Sequence, residues 1–336
     1  MTKIKIAIPM AGLGSRMRPH TWSKPKPLIA MAGKTFFDYV LGQFDGLPKS
    51  FEPEFIFIVG PNQQEQVEAH LKKYYPELSY RFVLQTDMRG QSHALYQARE
   101  YLVGHPMLMA FSDTLIETEL SMLEDPTLQS AVWVKPVPDP RRFGVAVVRE
   151  DDSVVKLVEK PQTLENNLVM VGFYYFADGS QLMQAIVEQM QRKITLKNEY
   201  FLADAVNLML EKGIYMKAQR IDVWLDAGIP AAVLETNRYL LENGHANDGV
   251  CQSEHVAIIP PVNIHPSAVI KSSVIGPNVS IGENCRIENA ILQNCILESD
   301  VEVCKSILEE SILGRQVQVH GQTTQLSLGD NSSSIR

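Results

Sequence analysis

Residues 6–28 read Ile6-Ala7-Ile8-Pro9-Met10-Ala11-Gly12-Leu13-Gly14-Ser15-Arg16-Met17-Arg18-Pro19-His20-Thr21-Trp22-Ser23-Lys24-Pro25-Lys26-Pro27-Leu28. The stretch begins as a buried strand, in which Ile4, Ile6 and Ile8 alternate with small or polar residues. It breaks at Gly12 and Gly14, where the backbone can turn tightly and bring N–H groups close to a ligand. Arg16 follows as a fixed cation whose forked donor set suits phosphate. Lys26 stands between two prolines of fixed φ. A Gly-rich loop, an arginine and a stiffened lysine together read as a triphosphate cradle.

Two other phosphate-binding patterns fail on this stretch. A dinucleotide fingerprint requires a third glycine where Met17 stands. A Walker-type loop ending in Gly33-Lys34-Thr35 requires a glycine where Leu28 stands. A bare Gly-x-Gly could also be an ordinary strand-to-helix turn; Arg16 and Pro25-Lys26-Pro27 are what weigh against that.

The stretch resembles the signature of the sugar-1-phosphate nucleotidylyltransferases, Gly-x-Gly-(Thr/Ser)-Arg-x-x-Pro-x-Thr…Pro-Lys-Pro-Leu, and matches it through Pro19, Thr21 and Leu28. The resemblance implies that Met10, Ala11, Gly12, Leu13, Gly14 and Ser15 bind nucleotide. It makes Arg16 and Lys26 the catalytic cations. Gln85 would read the base, with Gly90 beside it. Asp113, in Ser112-Asp113-Thr114, and Asp226, in Trp224-Leu225-Asp226-Ala227-Gly228, fall on the two Mg²⁺-binding carboxylates; a hard ion of this kind takes one or two carboxylates plus substrate phosphates. Gly144, Glu159, Lys160 and Met170 fall on the sugar-phosphate side. Two motifs depart from the common form: Gly90 is followed by Gln91-Ser92-His93-Ala94, and Met170 replaces a usual asparagine. Without the resemblance, Asp113 could cap a loop, Asp226 begin a turn, Gln85 be a polar loop residue, and Glu159-Lys160 a solvent-facing strand end.

The chain has 336 residues with 45% apolar and 21% charged content, ordinary for a soluble globular protein. A net charge of −8 argues against nucleic-acid binding. There is no apolar leader and no run of about 18 apolar residues, so we expect a cytoplasmic protein without a membrane span. The four cysteines (Cys251, Cys285, Cys295, Cys304) lack Cys-x-x-Cys spacing and suggest reduced, buried thiols.

Strand patterns at 3–9, 54–60, 80–84 and 106–111 alternate with helical spacings, which predicts an α/β fold with a Rossmann-like, mostly parallel mixed sheet. Ligands in such sheets bind beyond the strands' carboxyl ends, where Gly12, Gln85 and Asp113 fall. Further β runs follow at 131–134, 144–149, 154–158 and 169–176, then helices near 181–190, 202–210 and 230–242. From 261, aliphatic residues recur every five or six positions: Ile264, Ile270, Ile275, Ile281, Ile287, Leu292, Leu297, Val303, Leu308, Leu313 and Val319. The run resembles a hexapeptide-repeat left-handed β-helix, which at eighteen residues per coil implies three coils, with Cys285 and Cys304 stacked inside. The expected organisation is a catalytic domain at 1–242, a linker at 243–260, a short left-handed parallel β-helix at 261–321 and a loose tail at 322–336. The expected partners are a nucleoside triphosphate, a sugar 1-phosphate and further copies of the chain joined through the repeat; the repeat's His265 and His320 leave a second activity, acetyl transfer, as an alternative. The apolar residues beside the inward ladder, Val274, Ile291, Ile296, Ile307 and Ile312, should find cover.

Overall fold

The computed structural model describes residues 1–247 and 255–335. Residues 248–254 of the linker expected at 243–260, with Cys251 among them, lie outside the described residues. The chain divides into two compact units, one of Met1–Gly12 with Val40–Trp224, the other of Leu13–Tyr39 with Leu225–Arg336.

The first unit is built on a nine-stranded sheet. We number its strands β1 (Thr2–Pro9), β2 (Phe51–Val59), β3 (Tyr80–Leu84), β4 (Met107–Ala110), β5 (Ser130–Pro136), β6 (Gly144–Val148), β7 (Val154–Glu159), β8 (Leu168–Phe176) and β9 (Lys217–Arg220). The order β3-β2-β1-β4 is parallel, with Ile6 opposite both Phe55 and Leu108. β8 then runs antiparallel to β4, β5 and β6. Ile4, Ile6, Ala7 and Ile8 of β1 are buried, as a central strand covered on both faces requires. Helices at Gln64–Tyr74, Gln91–Gln97, Gly179–Gln191 and Leu202–Glu211 belong to this unit. Apolar faces of the last two, including Leu182, Ile186, Leu202 and Val206, join the sheet in one core. The order reverses at β1, which pairs with β2 on one side and β4 on the other. Gly12 lies just beyond β1 and Asp113 just beyond β4, at the position where such sheets bind ligands.

In the second unit, residues 257–335 form three parallel ladders of five strands each, a parallel β-helix. All eleven aliphatic residues of the expected inward ladder are buried. Corner residues such as Asn278, Asn284, Asn289 and Asn294 take left-handed φ, which asparagine tolerates.

Three expectations are corrected here. Successive coils are spaced by sixteen or seventeen residues, as in Val274–Ile291–Ile307–Thr323, so the ladders hold five strands where three coils were expected. That shorter repeat sets Cys304 opposite Glu288, so Cys285 and Cys304 do not stack. Cys285 and Cys295 are buried and burial raises both thiols to about 11, while Cys304 is half-buried. The segment expected as a loose tail instead carries strands Thr323–Thr324, Ser327–Leu328 and Ser333–Ile335, each paired to the coil before it.

Candidate active site

The first unit holds one group of the expected site residues. Gly12 has open space where a Cβ would stand, and its carbonyl accepts from Gln63 Nε2 at 3.2 Å. Met10 and Ala11 are buried. Gln85 sits just past β3 and is buried, its backbone N–H donating to Val59 O. Gly90 has φ +96°, and a Cβ there would stand 2.6 Å from the Tyr200 backbone. Glycine is needed at that position for packing, quite apart from any ligand.

The residues expected on the sugar side form a close group. Antiparallel pairing sets Glu159 directly opposite Gly144, while Val169 opposite Val145 brings Met170 alongside. A Cβ on Gly144 would lie 2.2 Å from Met170 Cε and 2.8 Å from Glu159 Oε2. Gly144 is thus a gap that lets the other two approach. Burial raises the Glu159 carboxyl above its ordinary value, against the pull of the Lys160 cation, with Asp204 and Glu199 adding to the rise. Lys160 holds its backbone in the left-handed region, φ 50°, which is strained for a residue with a Cβ. Its ammonium lies 3.9 Å from Glu159 Oε1 and 4.8 Å from the Phe201 ring centre.

The second unit carries the rest. Leu13, Ser15 and Arg16 are exposed, and Ser15–Met17 forms a turn of 3₁₀ helix anchored by buried Met17. Gly14 enters that turn at φ +59°, and its carbonyl accepts the Thr21 hydroxyl at 2.8 Å. Lys26 opens a second 3₁₀ turn, Lys26–Leu28, between buried Pro25 and Pro27. Asp226 Oδ1 accepts the Gly228 N–H at 2.7 Å, and a side chain at Gly228 would collide with that carboxylate. The Thr236 hydroxyl holds the Asp226 carbonyl at 2.9 Å. The Gly228 N–H orients the carboxylate, and the close approach explains the glycine two residues on.

Among the described residues there is no group of three or more His, Cys, Asp or Glu placed to hold a metal ion. Asp113, in the first unit, and Asp226, in the second, each offer carboxylate oxygens, the donor type that a hard divalent ion takes together with phosphate and water.

Sequence reasoning missed residues that hold this machinery. Lys24 is buried and its ammonium binds Glu298 and Asp330 of the β-helix. His20 meets Ser327, and the Ala30 N–H donates to Glu298. The signature segment is therefore tied to the repeat, including the last coil. The signal for Lys24 was its place before Pro25; Asp330 had none, standing in a Ser-rich run. His93, against Gln85, was also missed, although the departure from the usual motif pointed to it.

The fold is that of an α/β protein with a mostly parallel mixed sheet, carrying a parallel β-helix. Residues 7–243 match the family model described as nucleotidyl transferase, and residues 258–327 match one described as the GMPPB C-terminal domain. The chain belongs to the nucleotidyl transferase family. A relative named bifunctional protein GlmU, from Methanocaldococcus jannaschii, is 28% identical over 77% of this chain, which spans 60% of the relative's length. A glucose-1-phosphate thymidylyltransferase from Streptomyces antibioticus is 28% identical over 94% of this chain and 93% of its own. The solved structure of UDP-glucose pyrophosphorylase from Acinetobacter baumanii shares the fold, with a TM-score of 0.59 at 20% identity over 73% of this chain and 95% of the other.

Proposed function

We propose that the chain transfers a nucleotidyl group from a nucleoside triphosphate, dTTP or UTP, to a sugar 1-phosphate, glucose 1-phosphate first among them, releasing pyrophosphate. The observation that carries this reading is the group Gly144, Glu159, Met170 and Lys160. It combines a side-chain-free gap, an acceptor for sugar hydroxyls and a cation for the sugar phosphate, in a chain that also carries the Gly12–Lys26 signature.

The sugar-phosphate oxygen attacks the α-phosphorus in line with the departing pyrophosphate, so no covalent enzyme intermediate is needed. The chain's part is positioning and charge stabilisation. Backbone from Met10 to Ser15 approaches the nucleotide. Arg16 neutralises the β- and γ-phosphates, and Lys26 the charge developing on the α-phosphate. Gln85 reads the base beside Gly90. Asp113 and Asp226 would each offer a carboxylate to magnesium, which would supply neutralisation of phosphate charge. Guanylyl or adenylyl transfer is the second reading of the same machinery. Asp113→Asn and Asp226→Asn should each lower pyrophosphate release at least a hundredfold without lowering the melting temperature. Near-normal turnover by either variant, with magnesium the sole metal, would remove that residue from the site.

The same reading takes the protein to be cytoplasmic and to self-associate through the repeat. No helix among the described residues is long and apolar enough to cross a membrane. Of the apolar residues beside the ladder, Ile296 and Ile312 are buried, while Ile291 and Ile307, neighbours on one ladder, stay 43% and 48% exposed. That pair is the support for self-association.

A further inference from the structure

Gln85 and His93 pack against each other, and the Gly90 carbonyl beside them orders their hydrogen bonds. Gln85 Nε2 lies 3.4 Å from the Gly90 carbonyl oxygen and 3.1 Å from His93 Nδ1. On the far side of the ring, His93 Nε2 lies 2.9 Å from the Gln97 side-chain amide, four residues along the same helix. A neutral imidazole offers one donor and one acceptor. The Gly90 carbonyl can only accept, so the Gln85 amide nitrogen must face it. That nitrogen's second hydrogen then points at His93 Nδ1, which must be the ring's acceptor. The ring proton is therefore on Nε2 and is donated to Gln97, which turns its amide oxygen toward the ring. Burial, then the Arg89 cation, holds His93 below its ordinary imidazole value, with the Asp87 charge and the Asp87 backbone opposing.

Both Gln85 amide hydrogens are thus committed within the chain. Gln85 Oε1 has no partner among the described residues. An amide free to turn could offer either a donor or an acceptor to a base; one pinned in this way offers an acceptor alone.

We infer that His93 is a positioning residue for base choice, holding the Gln85 amide so that its oxygen meets a base bearing a ring N–H. This rests on the reading of Gln85 as the base contact. Thymine and uracil, with a proton on N3, and guanine, with one on N1, satisfy the oxygen. When the base presents its ring nitrogen to that oxygen, cytosine N3 and adenine N1 bring a lone pair against it and leave two acceptors facing each other, which costs affinity.

The test uses the full chain with dTTP, UTP, GTP, CTP and ATP as probes, reading kcat/KM from pyrophosphate release. The unaltered enzyme should favour the first three. His93→Leu frees the amide and should narrow the preference for dTTP or UTP over CTP at least tenfold, mainly through the KM values, with kcat on the favoured nucleotide nearly unchanged. His93→Gln, which keeps an acceptor, should restore the preference. Long-range ¹H–¹⁵N spectra of the folded protein should show Nδ1 unprotonated, a readout independent of activity. An Nδ1–H tautomer overturns the inference. So does an unchanged preference in His93→Leu when Gln85→Leu loses it, and in that case Gln85 keeps its role. If Gln85→Leu also keeps the preference, the reading of Gln85 fails and the inference with it.

Discussion

Lys24 and Glu298, far apart in sequence, meet as a buried ion pair, with their side chains 4% and 5% exposed. Lys24 stands two residues before Lys26, and Glu298 belongs to the β-helix. Asp330, in the last coil, joins the pair, 3.4 Å from the Lys24 ammonium, and is itself held by Arg315 at 3.0 Å. Glu298 also accepts the Ala30 N–H at 3.1 Å. The repeat therefore braces the segment that carries Arg16 and Lys26.

Removing one partner of a buried pair leaves an uncompensated charge, at a cost of about 3–5 kcal/mol. Glu298→Gln and Lys24→Met should each lower the melting temperature by several degrees and lower turnover with it. A chain ending at Gln322, which lacks Asp330 and Ser327, should lose most of its pyrophosphate release. Full activity and stability in that shortened chain would show that the brace is idle.

His20 makes the same contact sensitive to acid. It is buried, and its Nε2 lies 3.0 Å from the Ser327 hydroxyl. Burial, then the Lys24 cation, lowers it to about 4, with Asp330 opposing. The folded chain holds the ring neutral while the unfolded chain protonates near the ordinary value. Its contribution, ~3 kcal/mol at most, is therefore complete above about pH 6.5 and is lost as pH falls toward 4. Denaturant melts between pH 7 and 4 should show this decline, and His20→Phe should flatten it. An equal decline in the variant would assign the acid sensitivity elsewhere.

Much of this architecture was legible in the sequence because burial follows period. Strand β3 falls on the run predicted for it, 80–84, and every aliphatic residue of the repeat's inward ladder is buried. What escaped is equally physical. Strand β9, Lys-Ala-Gln-Arg, buries only Ala218, so it has no apolar alternation to read. Residues 323–335 look like a loose tail because their ladder is held by backbone pairing, with Leu326 and Leu328 the apolar residues packed on the core. Lys24, Glu298 and Asp330 lie in three distant stretches, and no local pattern connects them. The site glycines were read from the motif, but the packing that requires Gly90 and Gly144 needs the third dimension.

The exposed pair Ile291 and Ile307 carries the expectation of self-association. Light scattering at micromolar concentration should give a mass above that of one chain, and Ile291→Glu with Ile307→Glu should reduce it. A monomeric mass for the unaltered protein would set the expectation aside.

The central claim is nucleotidyl transfer to a sugar 1-phosphate, and pyrophosphate release by the full chain with magnesium tests it most directly. With dTTP or UTP and glucose 1-phosphate, release should require both substrates and match the nucleotide sugar formed mole for mole, while Lys26→Ala reduces it at least a hundredfold. Release that does not depend on any sugar 1-phosphate, or none with any of the five nucleotides across a panel of sugar 1-phosphates, would contradict the account.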